Sequence, residues 1–263
     1  MSRRGAVAVS GAALSRIARR SASSLGALAA EAALNACADA GLEPSEVDGV
    51  SIFTHPGRIG AGVVDGVDQL TPSYLARLLH LDRVRWTCAL AAGSFASSVV
   101  EAVNAVTAGS CSVAVAVRAM NNPAGRYGSY ESEQAAGAFE FTAPYGLASY
   151  GMQYAMPYSR YLALYGARRE HMAAFVVANR ANALLDPESV FRGRPLSTAG
   201  YLSDRWFSEP LSYLDSDMAV DGAGAVIVTS AERARSLRPR PAYVVGGASL
   251  GVDLRAAPVP TLE

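Results

Sequence analysis

Residues 112–120, Ser-Val-Ala-Val-Ala-Val-Arg-Ala-Met, form a nearly continuous apolar run with the length of a strand. Such a run predicts a strand that is covered on both faces, as in a sheet that lies between helices. The segment before it, residues 94–108, carries Val99, Val103 and Val106 at the spacing of one helical face. Together the two segments predict a helix packed on a buried strand.

Outward from this pair, short apolar segments alternate with amphipathic ones. Further strands are predicted at residues 6–14, 49–54, 85–90, 222–230 and 242–250. Further helices are predicted at residues 25–40, 71–81, 150–165, 168–185 and 231–237. Two helix ends are marked by Gly41 and Gly109, because glycine readily adopts the left-handed conformation that closes a helix. The alternation predicts an α/β fold built on a layered sheet.

The alternation breaks after residue 120. Residues 121–149 are rich in Gly, Tyr, Ser and Pro, and the segment is too long for an ordinary connection. We interpret it as a functional excursion from the end of a strand. The predicted regions are a first part (1–120), a loop and insertion region with helices (121–215), a return strand and helix (216–240) and the start of a further half (241–263).

Composition narrows the classes of function. The 263 residues are 51% hydrophobic, which is ample for a buried core, and the 23 basic and 23 acidic side chains cancel. A balanced charge argues against binding to nucleic acid or to an anionic membrane surface. All 23 basic residues are arginines. The chain therefore cannot form a lysine Schiff base with a carbonyl substrate or with pyridoxal phosphate.

The three cysteines and three histidines are scattered and show no metal-ligand spacing. We expect no metal and no cofactor. An odd, widely spaced set of cysteines also argues against a disulfide framework and favours a reducing, cytoplasmic location. No uninterrupted apolar run reaches the ~18 residues of a transmembrane helix.

Four stretches of the sequence carry a family resemblance. They lie within residues 6–49, 105–121, 178–187 and 209–226, and the last contains Asp-Gly-Ala-Gly-Ala-Val. Together they resemble the thiolase superfamily. The resemblance is closer to the sterol-carrier-protein-X type thiolases and to the thiolase-like lipid-transfer proteins that act as steroid side-chain aldolases. It implies a thiolase-like layered fold, with one βαβ half and an inserted loop domain, whose second half is largely absent from this chain.

The sequence departs from the thiolase pattern at the nucleophile. Thiolases attack with a cysteine at the start of the helix after the third strand, where the helix dipole favours the thiolate. The matching position here is Ala92, followed by Gly93 and Ser94. Cys88 lies four residues earlier and is either a displaced nucleophile or a small buried apolar residue. The family's second-half motifs have no counterpart here, so the resemblance transfers no catalytic residue.

The resemblance implies an enzyme, a carbon–carbon lyase that cleaves a bulky β-hydroxyacyl-CoA, such as a steroid side-chain thioester, by a retro-aldol reaction. That chemistry needs no lysine, metal or nucleophile, but it needs hydrogen-bond donors for the thioester enolate. The family further implies a homodimer and a small OB-fold partner that binds acyl-CoA. Two alternatives stay open. One is a catalytically inert thiolase-like scaffold or acyl-CoA- or lipid-binding subunit, and the other is an acyl-CoA acyltransferase that uses Cys88.

Two groups of residues are candidates for substrate binding. Gly93 and Ser94 could donate an amide or a hydroxyl to the thioester oxygen, although Ser94 could simply cap the helix. A second group follows the apolar strand, at the strand end where ligands of α/β sheets usually bind. It comprises Arg118, Asn121, Arg126 and Tyr127. An arginine there could bind a CoA phosphate, or the group could contact a partner subunit.

Five tyrosines recur at helical spacing: Tyr150, Tyr154, Tyr158, Tyr161 and Tyr165. This stripe either packs its helix on neighbouring elements or lines a steroid-sized pocket and offers hydroxyls for proton transfer. On the second interpretation the catalytic candidates are Tyr154 and Tyr158, together with Ser94. The acidic cluster at residues 215–221 superficially resembles a metal site, but we interpret it as a structural turn that leads into a strand.

Overall fold

The computed structural model describes residues 5–54, 67, 69–91, 94–121, 140–141, 143–145, 147, 150–237 and 240–247. The chain divides into two compact units. Unit 1 comprises Met1–Gly125 and Val220–Val252, and unit 2 comprises Arg126–Ala219 and Asp253–Glu263. Within the described residues, no helix is both long enough and apolar enough to span a membrane.

The secondary structure alternates between strands and helices, as predicted. The strands are β1 (Val7–Leu14), β2 (Gly49–Phe53), β3 (Trp86–Leu90), β4 (Val113–Met120), β5 (Trp206–Ser208), β6 (Leu211–Ser212), β7 (Gly222–Ser230) and β8 (Ala242–Tyr243). The helices are α1 (Leu25–Ala40), α2 (Pro72–Leu78), α3 (Phe95–Ala108), α4 (Tyr150–Tyr165), α5 (Arg169–Ala183), α6 (Thr198–Leu202) and α7 (Ala231–Ala234). Gly41 and Gly109 close α1 and α3 with positive φ angles of 71° and 77°, which confirms both predicted caps.

Unit 1 is built on a six-stranded mixed sheet in the order β3-β2-β4-β7-β1-β8. Strand β2 runs parallel to both β3 and β4, whereas β7 pairs antiparallel with β4 and with β1. Helices α1 and α2 cover one face of the sheet, where Val113, Val115 and Val117 point. Helix α3 covers the other face, against Ala114 and Ala116. The apolar run of β4 is therefore buried on both faces, as its composition predicts.

Helix α1 lies unusually close to β1. An added Cβ on Gly11 would lie 2.6 Å from the carbonyl oxygen of Ala36 and 2.8 Å from the Cβ of Ala40. Glycine and alanine at these positions let the helix and strand backbones approach, since nothing larger fits between them. Small side chains thus decide how closely the layers of unit 1 pack.

Several predicted bounds need correction. Helix α2 ends at Leu78 rather than at residue 81, because His80 adopts a positive φ of 52° and breaks the helical backbone. Helix α7 ends at Ala234 rather than at residue 237, since Ser236 and Leu237 continue in turns. The bounds of α1, α4 and β7 agree with the prediction, and the other elements of the first 185 residues differ by one or two residues at an end.

The last predicted strand, residues 242–250, is the largest departure. Its described part contains only the two-residue β8, which pairs with Ala8 and Val9 of β1. Gly246 and Gly247 follow, and glycine disfavours an extended strand. Residues 248–250 lie outside the described part of the chain.

The predicted valine face of α3 packs against the sheet, but it is buried only in part. Val106 is buried, but Val99 and Val103 are only half-buried and line an open apolar groove of about 420 Å³. The most deeply buried residues of α3 are the smaller Ser98 and Ala102. Ser98 offers its carbonyl oxygen to the buried Ser51 hydroxyl at 2.9 Å, and this bond draws that side of the helix onto the sheet.

Unit 2 contains α4, α5 and α6 and the small β5–β6 hairpin. Few of its described side chains are buried, and the largest is Tyr201. The Arg169 guanidinium lies 4.7 Å from the ring centre of Tyr201 and 4.4 Å from that of Trp206. Cation–π contacts of this kind hold the hairpin region to α5 and α6.

Candidate active site at the carboxyl ends of the parallel strands

The candidate site lies at one edge of the unit 1 sheet. Because β2, β3 and β4 are parallel, their carboxyl ends meet at the same edge, where ligands of α/β sheets bind. Helix α3 starts five residues after β3 ends, so its amino terminus belongs to this edge. The fold therefore brings three predicted site residues to one edge of the sheet: Ser94, Arg118 and Asn121.

Arg118 lies near the carboxyl end of β4, two residues before the strand ends at Met120. Its guanidinium lies 5.3 Å from the ring centre of Phe53 at the end of β2, and its Nη2 lies 3.1 Å from the sulfur of Met120. Its Nε is buried and has no hydrogen-bond partner within the described residues. A buried N–H without a partner is costly. Arg118 is therefore held in place at the site and keeps donor capacity for an anionic or carbonyl oxygen.

Asn121 follows directly after β4 and is only 3% exposed. Its side-chain amide donates to the carbonyl oxygen of Ser23 at 2.7 Å. Ser23 immediately precedes Ser24, the N-cap residue of α1. Asn121 thus connects the end of β4 to the start of α1. Its side-chain N–H donates to the protein backbone rather than to a ligand.

Ser94 is the N-cap residue of α3. Its backbone N–H donates to the Ser97 hydroxyl at 3.2 Å, and Ser97 N–H donates back to the Ser94 carbonyl at 2.9 Å. The first N–H groups of a helix lack intrahelical acceptors and carry partial positive charge. An oxyanion placed at this helix start would be stabilised. Gly93, and Ala92 at the thiolase nucleophile position, lie outside the described residues.

Cys88 lies in the middle of β3, not at the start of α3. It is half-buried, and burial raises the pKa of its thiol, with a further increase from the negative charge of Glu101. A hydrogen bond with Ser51 opposes these effects only in part. The environment favours the thiol over the nucleophilic thiolate. This disfavours the interpretation of Cys88 as a displaced nucleophile, although the residue is less buried than a core cysteine.

The tyrosine stripe lies on α4 in unit 2. Tyr154, Tyr161 and Tyr165 are 46%, 43% and 69% exposed. Tyr161 and Tyr165 contact each other, with ring centres 4.9 Å apart. Tyr158 is half-buried, and burial first and the charge of Asp215 second raise the pKa of its hydroxyl. A raised pKa makes Tyr158 a poorer proton acceptor at neutral pH.

Asp215 and Asp221 have different structural roles. Asp215 in unit 2 accepts hydrogen bonds from the Tyr201 hydroxyl and from the Ser212 backbone N–H at 2.7 Å, and it lies 3.7 Å from the Arg169 guanidinium. Asp221 in unit 1 accepts the Ser21 N–H at 2.7 Å. Among the described residues, no group of three or more His, Cys, Asp or Glu side chains is placed to hold a metal ion.

Sequence reasoning missed the network around Asp215. Burial raises the pKa of the Tyr201 hydroxyl, and its hydrogen bond to Asp215 raises it further. Arg169 comes from α5, Tyr201 from α6 and Asp215 from the turn after β6. No local sequence motif marks residues that are so far apart in the chain. Two predicted site residues, Arg126 and Tyr127, lie outside the described part of the chain.

No protein-family model matches the chain. A 17-hydroxy-3-oxo-4-pregnene-20-carboxyl-CoA lyase from Mycobacterium tuberculosis is 35% identical over 230 residues, which is 84% of this chain and 56% of that protein. A steroid side-chain-cleaving aldolase from Thermomonospora curvata is 34% identical over 256 residues, which is 94% of this chain and 62% of that protein. The chain thus spans between 56% and 62% of the length of these relatives.

Solved structures show the same likeness. The structure described as an Ltp2-ChsH2(DUF35) aldolase superposes with a TM-score of 0.79 at 33% identity, over 92% of this chain and 60% of that one. A monomeric SCP2-thiolase like protein from Mycobacterium smegmatis superposes with a TM-score of 0.64 over 89% of this chain and 48% of that one. The identity in the second case is 20%, so it shows the fold alone.

Proposed function

This chain belongs to the thiolase superfamily, among the thiolase-like lipid-transfer proteins, and on that premise we propose that it works in an acyl-CoA lyase. The substrate class is a bulky β-hydroxyacyl-CoA, with a steroid side chain as the leading example. The observation that carries this proposal is the 34–35% identity, along most of the chain, to relatives named as a lyase and a side-chain-cleaving aldolase.

The proposed reaction is a retro-aldol cleavage. A base takes the proton of the β-hydroxyl group, and the oxygen's electron pair forms the carbonyl of a leaving ketone. The bond between Cα and Cβ breaks, and its electrons form the enolate of the thioester. A proton then returns to Cα and gives a shortened acyl-CoA. No metal or cofactor is needed for these steps, and we propose that none takes part.

The site supports this chemistry through donors rather than through a nucleophile. The start of α3 is suited to hold the enolate oxygen, because its free N–H groups and dipole stabilise negative charge there. Arg118 would donate to an oxygen of the CoA part of the substrate. Asn121 would act as a positioning residue, since its bond to Ser23 holds the end of β4 against the α1 entry.

We also propose a homodimer that is formed through β3. This strand lies at the end of the sheet and pairs only with β2 in the described structure. Its residues, Trp86–Leu90, include neither a charged side chain nor a proline. Natural sheet edges usually carry such protection, and an unprotected edge is typical of strand pairing with another chain.

We further propose a partner subunit and a cellular location. The structure with a TM-score of 0.79 has a two-part name, Ltp2-ChsH2, which supports a partner subunit. We propose that this partner is a small OB-fold protein that binds acyl-CoA. We propose a cytoplasmic location because Cys37, Cys88 and Cys111 are all free thiols.

The test is a mass-spectrometric assay of the chain co-expressed with an OB-fold partner, on a branched β-hydroxyacyl-CoA without added CoA. We expect a ketone and a shortened acyl-CoA. A second candidate function is an acyl-CoA-binding subunit without activity. Substrate that binds but persists unchanged would select that second function over the lyase.

A further inference from the structure

Residues 15–24 connect β1 to α1 at the edge of the sheet that carries the candidate site. Strand β1 is parallel to β4, because both pair antiparallel with β7, so the carboxyl ends of β1 and β4 lie at the same edge. This connection, which we call the β1–α1 loop, contains Arg16, Arg19 and Arg20 and no acidic residue. All three arginines are exposed. The loop therefore adds positive charge to the rim of the site, within unit 1.

Two buried side chains hold the backbone of the β1–α1 loop to the sheet. Asp221, which is 1% exposed, accepts the Ser21 backbone N–H at 2.7 Å, and its own backbone N–H donates to the carbonyl oxygen of Ala18 at 2.7 Å. Asn121 donates to the carbonyl oxygen of Ser23 at 2.7 Å. Hydrogen bonds in the low dielectric of the interior are stronger than those in water. The loop backbone is therefore fixed at the rim and presents its arginines there.

The described charges of unit 1 at this edge are mainly positive. Glu31 and Asp221 are the described carboxylates that bind the loop, and each accepts a backbone N–H. No described carboxylate lies within ion-pair distance of the Arg16 or Arg20 guanidinium. Arg118 adds a further positive charge near the end of β4. Helices α1 and α3 also begin here without an acidic residue in the first turn, so nothing in those turns offsets the partial positive charge of the two helix starts.

We propose that the arginines of the β1–α1 loop steer an anionic acyl-CoA towards the candidate site and thereby raise its rate of association. This inference rests on the substrate class of the proposed function, because the phosphates of CoA make an acyl-CoA a polyanion. Charges at the rim of a site change mainly the association rate and its salt dependence, whereas contacts with the bound ligand change dissociation. Because the total charge of the chain is balanced, the attraction is local to this edge.

The test follows the binding of fluorescent etheno-CoA by stopped flow at several salt concentrations, in the absence of turnover. The double variant Arg16→Gln/Arg20→Gln should associate about fivefold more slowly than the native chain at low salt. Its dissociation rate should stay within about twofold of the native rate. At about 1 M salt the Debye length falls to about 3 Å, so the association rates of the two proteins should converge.

The matched control is Arg77→Gln/Arg83→Gln, which removes the same charge from exposed positions at the opposite edge of the sheet, where α2 ends and β3 begins. It should leave the association rate unchanged. An equal loss in the control, an unchanged association rate in the Arg16→Gln/Arg20→Gln variant, or no binding by the native chain would each overturn the proposal. Association that depends on Arg16 and Arg20, in a protein without lyase activity, would keep the steering role and overturn the proposed reaction.

Discussion

The two units of the molecule are stabilised in different ways. Unit 1 is a sheet between helices, and its core consists largely of alanine and valine side chains that pack at close range. Unit 2 buries few side chains and relies on arginines that stack on aromatic rings: Arg169 on Tyr201 and Trp206, Arg180 on Phe191, and Arg205 on Tyr213. Apolar burial is spread over many contacts, whereas each stack depends on two or three residues.

This difference bears on function. The sheet of unit 1 fixes the strand ends and the start of α3, so its candidate site depends on close packing for its geometry. Unit 2 offers charged and aromatic groups, and it exposes apolar side chains such as Tyr165, Phe175 and Leu185. Apolar exposure of this kind is typical of a surface that contacts a ligand or a partner. Substitutions in the two units are therefore expected to differ in their effects on stability and on activity.

The largest effect is expected from overpacking unit 1. Gly11→Val would place side-chain atoms where Ala36 and Ala40 of α1 already lie, so the helix would have to move. We expect a loss of about 3 kcal/mol in the free energy of unfolding. Thermal and urea unfolding measure the change. Gly246→Ala is the control, since an added Cβ there meets nothing within 4 Å. Equal stability of the two variants would contradict the close packing of α1 on β1.

A smaller loss is expected from the polar network of unit 2. Asp215→Asn removes the carboxylate that lies beside Arg169 and leaves this buried guanidinium without a counter-charge. We expect a loss of about 2 kcal/mol, since breaking one partner of a largely buried pair leaves an uncompensated charge. The exposed Asp217→Asn is the matched control and should change stability by less than about 0.5 kcal/mol. Limited proteolysis should show cleavage of unit 2 before unit 1 in Asp215→Asn.

Several features of the fold could be predicted from the sequence, and others could not. The bounds of α1 and β7 and the caps at Gly41 and Gly109 follow from local patterns of apolar residues and glycine. The half-burial of Val99 does not, because the smaller Ser98 and Ala102 decide how α3 meets the sheet. Local spacing reports which residues share a helical face, but only the tertiary partners decide which face is buried.

The candidate site shows the same limit. The strand-end position of Arg118 and the capping position of Ser94 follow from the alternation of strands and helices. The bond from Asn121 to Ser23 joins residues 98 positions apart, so no local signal predicts it. The helix that carries the tyrosine stripe was predicted with its observed bounds, because the tyrosines keep helical spacing from Tyr150 to Tyr165.

A substitution in the candidate site of unit 1 should lower the activity rather than the stability of the protein. Arg118→Gln removes the charge at the strand ends, and we expect kcat/KM of the proposed lyase reaction to fall about tenfold, mainly through KM. Arg83→Gln, an exposed arginine of the same unit, is the control and should leave both constants unchanged. A loss in thermal stability without a change in KM would assign Arg118 a structural role only.

The smallest effect is expected at Cys88. Its pKa is raised above the usual 9.0, mainly by burial, so the thiol rather than the thiolate dominates at pH 7. Cys88→Ala should leave the rate of the proposed lyase reaction unchanged within about twofold. In the native chain, alkylation of Cys88 by iodoacetamide should be slow at pH 7 and should accelerate as the pH rises past 9.0. Rapid alkylation at pH 7, with loss of activity in Cys88→Ala, would support the acyltransferase interpretation.

The most direct test of the proposed retro-aldol reaction is turnover in deuterium oxide, with the chain co-expressed with an acyl-CoA-binding OB-fold protein and without added CoA. We predict one solvent deuterium at Cα of the shortened acyl-CoA, one ketone for each acyl-CoA released, and no acyl adduct in the intact mass of the protein. Cleavage that requires added CoA and leaves an acyl group on Cys88 would contradict this account.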